Sequence, residues 1–276
     1  MNIYQMIIDL QNISYCYQNR TKALKNINFS VTEGEKLVIA GSNGAGKSTL
    51  FLILNGILKP ENGIYNFEGK HVKYTKNELY NLRKSIGIVF QEPDSQIFSS
   101  SVYEEISFGP LNLDLPHEIV RKRVSGALKI LDIENLQDKP AHLLSYGQKK
   151  RVTIASILAM DPKIIIFDEP TSGLDPAHAA EIISLLDDLH KNGKTIIIST
   201  HDMNLAYQWA SRIVVLNDGE ICGDGKPIDI FNSSSIIRKN KLELPLVLQV
   251  FGSLKNQQLP YPANIMELVE RLNIQL

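Results

Sequence analysis

The sequence predicts an α/β fold with a parallel-sheet core wound with helices, and three observations carry that expectation. Short apolar runs at Ile164 to Phe167, Thr195 to Ser199 and Ile213 to Leu216 have the length of buried strands. A helical pattern from Ala177 to His190 separates the first two, as a strand–helix–strand crossover requires. The run Leu37 to Ala40 passes directly into a glycine-rich turn at Gly41 and then into helical periodicity.

Each element follows in order. Ile7 to Tyr17 and Ala23 to Val31 alternate apolar and polar residues, which predicts antiparallel strands in an N-terminal β subdomain. Leu37 to Ala40 is a buried strand, and Lys47 to Leu58 a helix closed by Gly56 and Pro60. Ser85 to Phe90 is a further strand, followed by the polar stretch Gln91 to Ser101. Helices are expected at Val102 to Phe108, His117 to Leu131 and Gln148 to Met160, giving a helical subdomain over about residues 92–160. Beyond Gly225 the pattern weakens, with Pro227, Pro245, Pro260 and Pro262 punctuating short helical pieces. The expected organisation is one domain over residues 7–225 and a small extension over 226–276.

Composition narrows the function. The 29 Lys and Arg balance 30 Asp and Glu, so the net charge of −1 lacks the basic excess of a nucleic-acid-binding protein. The apolar runs fall far short of the ~18 residues of a membrane span, and Met1 to Leu10 lacks a signal-peptide pattern. Cys16 and Cys222 make neither a disulfide framework nor a metal site, which favours a reducing compartment.

Gly41-Ser42-Asn43-Gly44-Ala45-Gly46-Lys47-Ser48 fits the phosphate-loop pattern G-x-x-x-x-G-K-[ST], with a strand before it and a helix after it. Glycines let successive backbone N–H groups face an anion, and the helix N-terminus adds a favourable dipole. Lys47 supplies a point charge for the β- and γ-phosphates, and the Ser48 hydroxyl can ligate Mg²⁺. These residues and the adjoining Thr49 are expected to line a nucleoside triphosphate. Ile164 to Glu169 ends a buried strand on two adjacent acids. A strand-end carboxylate is costly unless it meets a cation, so Asp168 is assigned to Mg²⁺ and Glu169 to the attacking water as general base.

The stretch Leu144-Ser145-Tyr146-Gly147-Gln148-Lys149-Lys150-Arg151 resembles the LSGGQ signature of ABC-type ATPases. Further marks of that family follow: Gln91 after its strand, Ser172-Gly173-Leu174-Asp175 as the D-loop, and His201 as the switch histidine. Tyr17 matches the aromatic that stacks on adenine, with Tyr15 a weaker candidate. The resemblance covers residues 7 to about 225 and implies a P-loop NTPase fold that binds and hydrolyses ATP with Mg²⁺. It implies a homo- or heterodimer of ATPase subunits, in which Ser145, Gly147 and Gln148 complete the partner's nucleotide site. It assigns Gln91 to Mg²⁺ or water, beside the contact with integral membrane transport subunits, and His201 to the γ-phosphate. The expected location is peripheral, at the cytoplasmic face of the cell membrane, and a nucleic-acid partner is not expected. A soluble non-transport ABC ATPase is the alternative of another class; it would need a long coiled coil or a second ATPase unit.

Tyr146 departs from LSGGQ. With Phe90 to Phe98 and Glu104 to Asn112, it resembles the cobalt and nickel import ATPases of the energy-coupling-factor group, with vitamin uptake as the alternative. Either the backbone at 146 is ordinary, or the contact across the dimer differs; if the tyrosine is merely tolerated, Tyr146→Gly retains ATPase activity. Lys149-Lys150-Arg151 reads as a solvated helix face, as do Lys239 and Lys241. Tyr207 and Trp209 read as helix packing, and Cys16 and Cys222 as small buried residues. The apolar Leu244, Leu246, Val247, Leu248 and Val250 fit either a protomer contact or a lid over the core.

Overall fold

The computed structural model describes residues 5–253 and 261–273; Met1 and Pro260, used in the sequence reading, lie outside the described residues. Strands β1 (Met6–Cys16) and β2 (Lys22–Thr32) form an antiparallel pair. β3 (Lys36–Ala40) runs through the glycine-rich loop into α1 (Lys47–Leu54). β4 (Asn62–Phe67), β5 (Lys70–His71) and α2 (Lys76–Ser85) precede β6 (Ile86–Val89). Then come α3 (Val102–Asn112), α4 (His117–Ile130) and α5 (Tyr146–Met160). β7 (Ile164–Phe167), α6 (Pro176–Lys191), β8 (Thr195–Thr200), α7 (Met203–Trp209), β9 (Arg212–Asn217) and β10 (Glu220–Gly225) follow. The tail holds α8 (Pro227–Asn232), α9 (Ser234–Asn240), α10 (Leu246–Ser253) and α11 (Ile265–Asn273).

Two sheets organise these elements. One is four-stranded and antiparallel in the order β2-β1-β4-β5; the other is six-stranded in the order β10-β9-β3-β8-β7-β6. In the second, β9, β3, β8, β7 and β6 run parallel and only β10 is antiparallel. The parallel register aligns the carboxyl ends of the strands: Ala40 sits opposite Thr200 and Val215, and Phe167 opposite Val89 and Ile198. The chain therefore delivers Gly41, Gln91, Asp168 and His201 to one edge, where open α/β sheets bind ligands.

Side-chain alternation divides the core. Val38, Ala40, Ile165, Phe167, Ile196 and Ile198 join the core cluster shared with α3 to α7, whereas Leu37, Ile39, Ile164, Ile166 and Ile197 join the one shared with α1 and the antiparallel sheet. A strand covered on both faces has no polar side, which is why its sequence reads as a continuous apolar run.

Several expectations are corrected. The first helix stops at Leu54 rather than Leu58, because the amides of Ile57 and Leu58 both turn back to the Leu52 carbonyl, at 2.8 and 3.1 Å. β4, β5, α2 and β10 are additional elements, although α2 carries a readable start: Thr75 caps it by accepting the Glu78 amide. The basic triplet is not a solvated face. Lys150 is fully buried, Lys149 pairs with Asp94 at 2.6 Å and Arg151 with Glu181 at 2.5 Å. Cys16 and Cys222 are half-buried rather than buried. Lys239 and Lys241 are exposed, and Tyr207 and Trp209 are packed in the core as expected. In the tail, Val247, Leu248 and Phe251 join the helix-side core cluster, and the Tyr207 hydroxyl donates to the Pro262 carbonyl at 3.0 Å. That part of the tail covers the core, while Leu246 and Val250 remain exposed.

Candidate functional site

The glycine-rich loop and the strand ends enclose a cavity of about 420 Å³, lined by Tyr17, Asn43 to Thr49, Gln91, Asp168 and Glu169. Gly46 has φ 108°, and a Cβ there would meet the Ala23 carbonyl oxygen at 2.6 Å, so the loop can close onto β2 only with glycine. Gly41 and Ser42 lie beside this cavity and line a neighbouring one with His201. Lys47 is buried; its ammonium donates to the Gly41 and Ser42 carbonyls at 2.7 and 3.2 Å, which holds the charge inside the loop. Tyr17 is 38% exposed and anchored by a 3.1 Å hydrogen bond between its hydroxyl and Thr49 Oγ1. Its ring is thus a fixed wall with one free side, suited to stacking on a base. Tyr15 packs edge-on against it, with centroids 5.0 Å apart, and does not line this cavity.

Below the loop lies a relay of oxygens. The Ser48 hydroxyl donates to Asp168 Oδ2 at 2.7 Å, and the Ser199 hydroxyl donates to Asp168 Oδ1 at 2.5 Å. Ser199 Oγ in turn accepts the Glu169 amide at 2.8 Å. Glu169 sits at φ 48°, a conformation that costs a non-glycine residue energy and that this bond helps to hold. His201 Nδ1 lies 2.9 Å from Glu169 Oε2, whereas Glu169 Oε1 is buried without a hydrogen-bond partner. That orphaned acceptor is the strongest chemical signal in the site, because burying an unpaired carboxylate oxygen is costly.

The oxygens of Ser48 and Asp168 fit a magnesium ion, which prefers hard oxygen ligands and takes one or two carboxylates alongside phosphate. Gln91 is exposed and lines the same cavity; its amide nitrogen lies 3.5 Å from Ser172 Oγ. Among the described residues, no group of three or more His, Cys, Asp or Glu side chains is arranged to hold a metal. A cation here would therefore depend on phosphate oxygens for the rest of its shell.

Ser145, Gly147 and Gln148 are not brought to this cavity. They line a separate one of about 480 Å³, with Tyr146, Gly173, Leu174 and Asp175. Ser145 caps α5 by accepting the Gln148 amide, and the Gln148 side chain accepts the Ser145 amide at 3.0 Å, a reciprocal capping box. The amides of Tyr146 and Gly147 fall in the first helical turn, where no earlier carbonyl serves them, and the positive end of the helix dipole adds to their pull on an anion. Tyr146 has ordinary helical backbone with no positive φ.

Other residues of the site escaped the sequence reading. Ser199, in β8 two residues before His201, orders both acids through the Asp168 carboxylate and the Glu169 amide. Asp218 and Gly219 complete the cavity wall from the β9–β10 turn, and an Asp-Gly pair between two strands is a hairpin signal. Lys150 reaches the Phe90 and Gln91 carbonyls at 3.3 and 2.9 Å, and burial pushes its ammonium down to about 8.

Residues 24–172 match the family model described as ABC transporter. The energy-coupling factor transporter ATP-binding protein EcfA of Methanocaldococcus jannaschii is 49% identical over 251 residues, covering 91% of this chain and 90% of that protein. The EcfA2 protein of Methanospirillum hungatei is 45% identical over 259 residues, 94% of this chain; the chain spans 65% of that relative's length. Among solved structures, cbiO1 from Clostridium perfringens, described as part of the ABC transporter complex cbiONQ, superposes with a TM-score of 0.75 at 46% identity, covering 90% of this chain and 99% of that one. A dimeric ATP-binding cassette in a post-hydrolysis state, bound to ADP and Pi, gives 0.73 at 34% identity, over 80% of this chain and 99% of that one. Matched over more than half its length by the family model and at nearly half identity by relatives it almost spans, the chain belongs to the ABC transporter family, among its energy-coupling factor ATP-binding proteins.

Proposed function

We propose that this ABC ATPase hydrolyses MgATP as a dimer and drives import through separate integral membrane subunits, with cobalt or nickel ions as the cargo. The observation that carries the catalytic reading is the Ser48–Asp168–Ser199–Glu169–His201 relay beneath the phosphate loop. In this reading residues 7–225 are the ATP-binding domain, with about 92–160 its helical part, and 226–276 are an extension.

Tyr17 stacks on the base, and the backbone amides of residues 41–49 with Lys47 hold the phosphates. Lys47 exchanges its loop carbonyls for phosphate oxygens, a trade that keeps a buried charge paired throughout. Ser48, Asp168 and Gln91 would hold Mg²⁺, which when bound neutralises charge on the phosphate oxygens. Glu169 Oε1, the unpaired buried oxygen, orients and deprotonates the attacking water. His201 holds the other carboxylate oxygen and is placed to stabilise the transferred phosphoryl group. Ser145 and the first amides of α5 close the nucleotide site of a second subunit, consistent with the dimeric solved cassette.

Contact with a membrane subunit is supported by the apolar surface after Gln91. Phe98 and Phe108 are 64% and 48% exposed and stack edge-to-face at 4.6 Å, with Leu111 also exposed. No helix among the described residues is long and apolar enough to cross a membrane, so an attachment through this surface suits a peripheral place at the cytoplasmic face. The metal-ion cargo rests on Tyr146 and its neighbouring motifs; co-purification with a vitamin-binding membrane subunit would favour vitamin uptake instead.

Glu169→Gln tests the chemistry. The variant is expected to bind ATP with unchanged affinity, lose turnover by about 100-fold or more, and accumulate as an ATP-bound dimer on size-exclusion chromatography. Turnover at the normal rate would remove Glu169 from the reaction.

A further inference from the structure

Tyr146 lines the signature cavity, yet its hydroxyl reaches the main chain of Gln91, which lines the nucleotide cavity, and of Ser172. It donates to the Gln91 carbonyl and to the Ser172 carbonyl, each at 3.3 Å. A phenol has one proton, so the two acceptors share it. The Gln91 carbonyl receives a second donor from Lys150 Nζ at 2.9 Å, one turn further along the same face of α5. Both lone pairs of that oxygen are thereby engaged by a single helix. The Tyr146 ring also rests on Gly173: a Cβ at this position, where φ is 74°, would meet the ring at 2.8 Å. Ser172 continues the connection, since its amide donates to the Glu169 carbonyl at 3.2 Å.

We propose that Tyr146, assisted by Lys150, is a positioning residue that latches the start of the signature helix to the Gln91 and Ser172 loops. Through this latch, the half-site a chain offers to its partner governs the placement of Gln91 and Glu169 in its own nucleotide cavity. A glycine at 146, as in LSGGQ, supplies neither the hydroxyl nor the ring that fills the space over Gly173. The tyrosine is therefore a functional part of the site rather than a tolerated departure. This rests on the ATPase reading above, so one readout is chosen that needs no hydrolysis.

The test compares Tyr146→Phe and Tyr146→Gly in the full chain. Without nucleotide, hydrogen–deuterium exchange is expected to speed up in both segments 90–92 and 172–174 of each variant; unchanged exchange in either segment overturns the latch whether or not the protein hydrolyses ATP. In MgATP turnover, Tyr146→Phe is expected to lower kcat about five-fold, as loss of one shared hydrogen bond would, with KM and melting temperature unchanged. In a Gln91→Ala background the same substitution should cost less than in the unsubstituted chain, because one of the two side chains being positioned is gone. A wild-type kcat, an equal loss in both backgrounds, or a raised KM with a lowered melting temperature each overturns the proposal. Absence of turnover in the unsubstituted chain would instead overturn the ATPase reading.

Discussion

The chain has two anion-facing cavities of similar size and different completeness. The one at the phosphate loop, about 420 Å³, contains a lysine, two buried acids and an aromatic wall. The one at the start of α5, about 480 Å³, offers a capped helix N-terminus and a serine hydroxyl, with none of the machinery for hydrolysis. In the proposed reading the first binds and reacts, and the second covers a nucleotide held by another chain. Their lining residues do not overlap, so in that reading each cavity serves a different nucleotide. A second subunit would resolve the difference, and the proposed latch at Tyr146, which bonds the Gln91 and Ser172 carbonyls, would link the two half-sites of one chain.

Substitutions on each side break this comparison to different extents. The largest effect is expected from Lys47→Ala, which should weaken ATP binding by about 100-fold, the scale of losing a buried charged partner; retained affinity by isothermal titration would contradict the phosphate-loop assignment. Ser145→Ala acts on the opposite half. It should leave ATP binding by the isolated chain intact, reduce dimer formation and turnover about ten-fold, and lower stability by about 1 kcal/mol through loss of the helix cap. Mixing the Lys47 and Ser145 variants sharpens the point, since a mixed dimer contains one composite site free of both substitutions. Partial recovery of turnover on mixing is expected, and no recovery would argue that each chain works alone. Tyr17→Ala acts on binding alone, with about a ten-fold loss of ATP affinity from lost stacking and kcat and stability preserved; a fall in kcat at constant affinity would assign Tyr17 a different role.

The legible parts of the site were those encoded in contiguous residues. Gly41 to Ser48, and Asp168 with Glu169 at the end of an apolar run, could be read because a phosphate cradle and a strand end are local structures. Ser199, Lys150 and Tyr146 could not. They act on partners 31, 59 and 55 residues away, and nothing local to a serine, lysine or tyrosine specifies such a partner. The basic triplet shows the cost of local reading: three adjacent cations looked solvated, yet the helical turn sends the middle one inward to the Gln91 carbonyl and the outer two to Asp94 and Glu181. The tail shows the opposite limit. Its apolar residues fitted either a lid or an interface, and only packing placed Val247, Leu248 and Phe251 on the core.

By itself the sequence determined the α/β class, the order of the strands that carry the site and the glycine-rich loop between a strand and a helix, because hydrophobic period and glycine placement act over a few residues. Tertiary structure alone decided which half-site each motif joins. The parallel register brings Gly41, Gln91, Asp168 and His201 to one edge of the sheet, while the cap of α5 leaves Ser145 and Gly147 in a cavity of their own. Register and helix placement are set by burial summed over the whole core, and no single motif contains that sum.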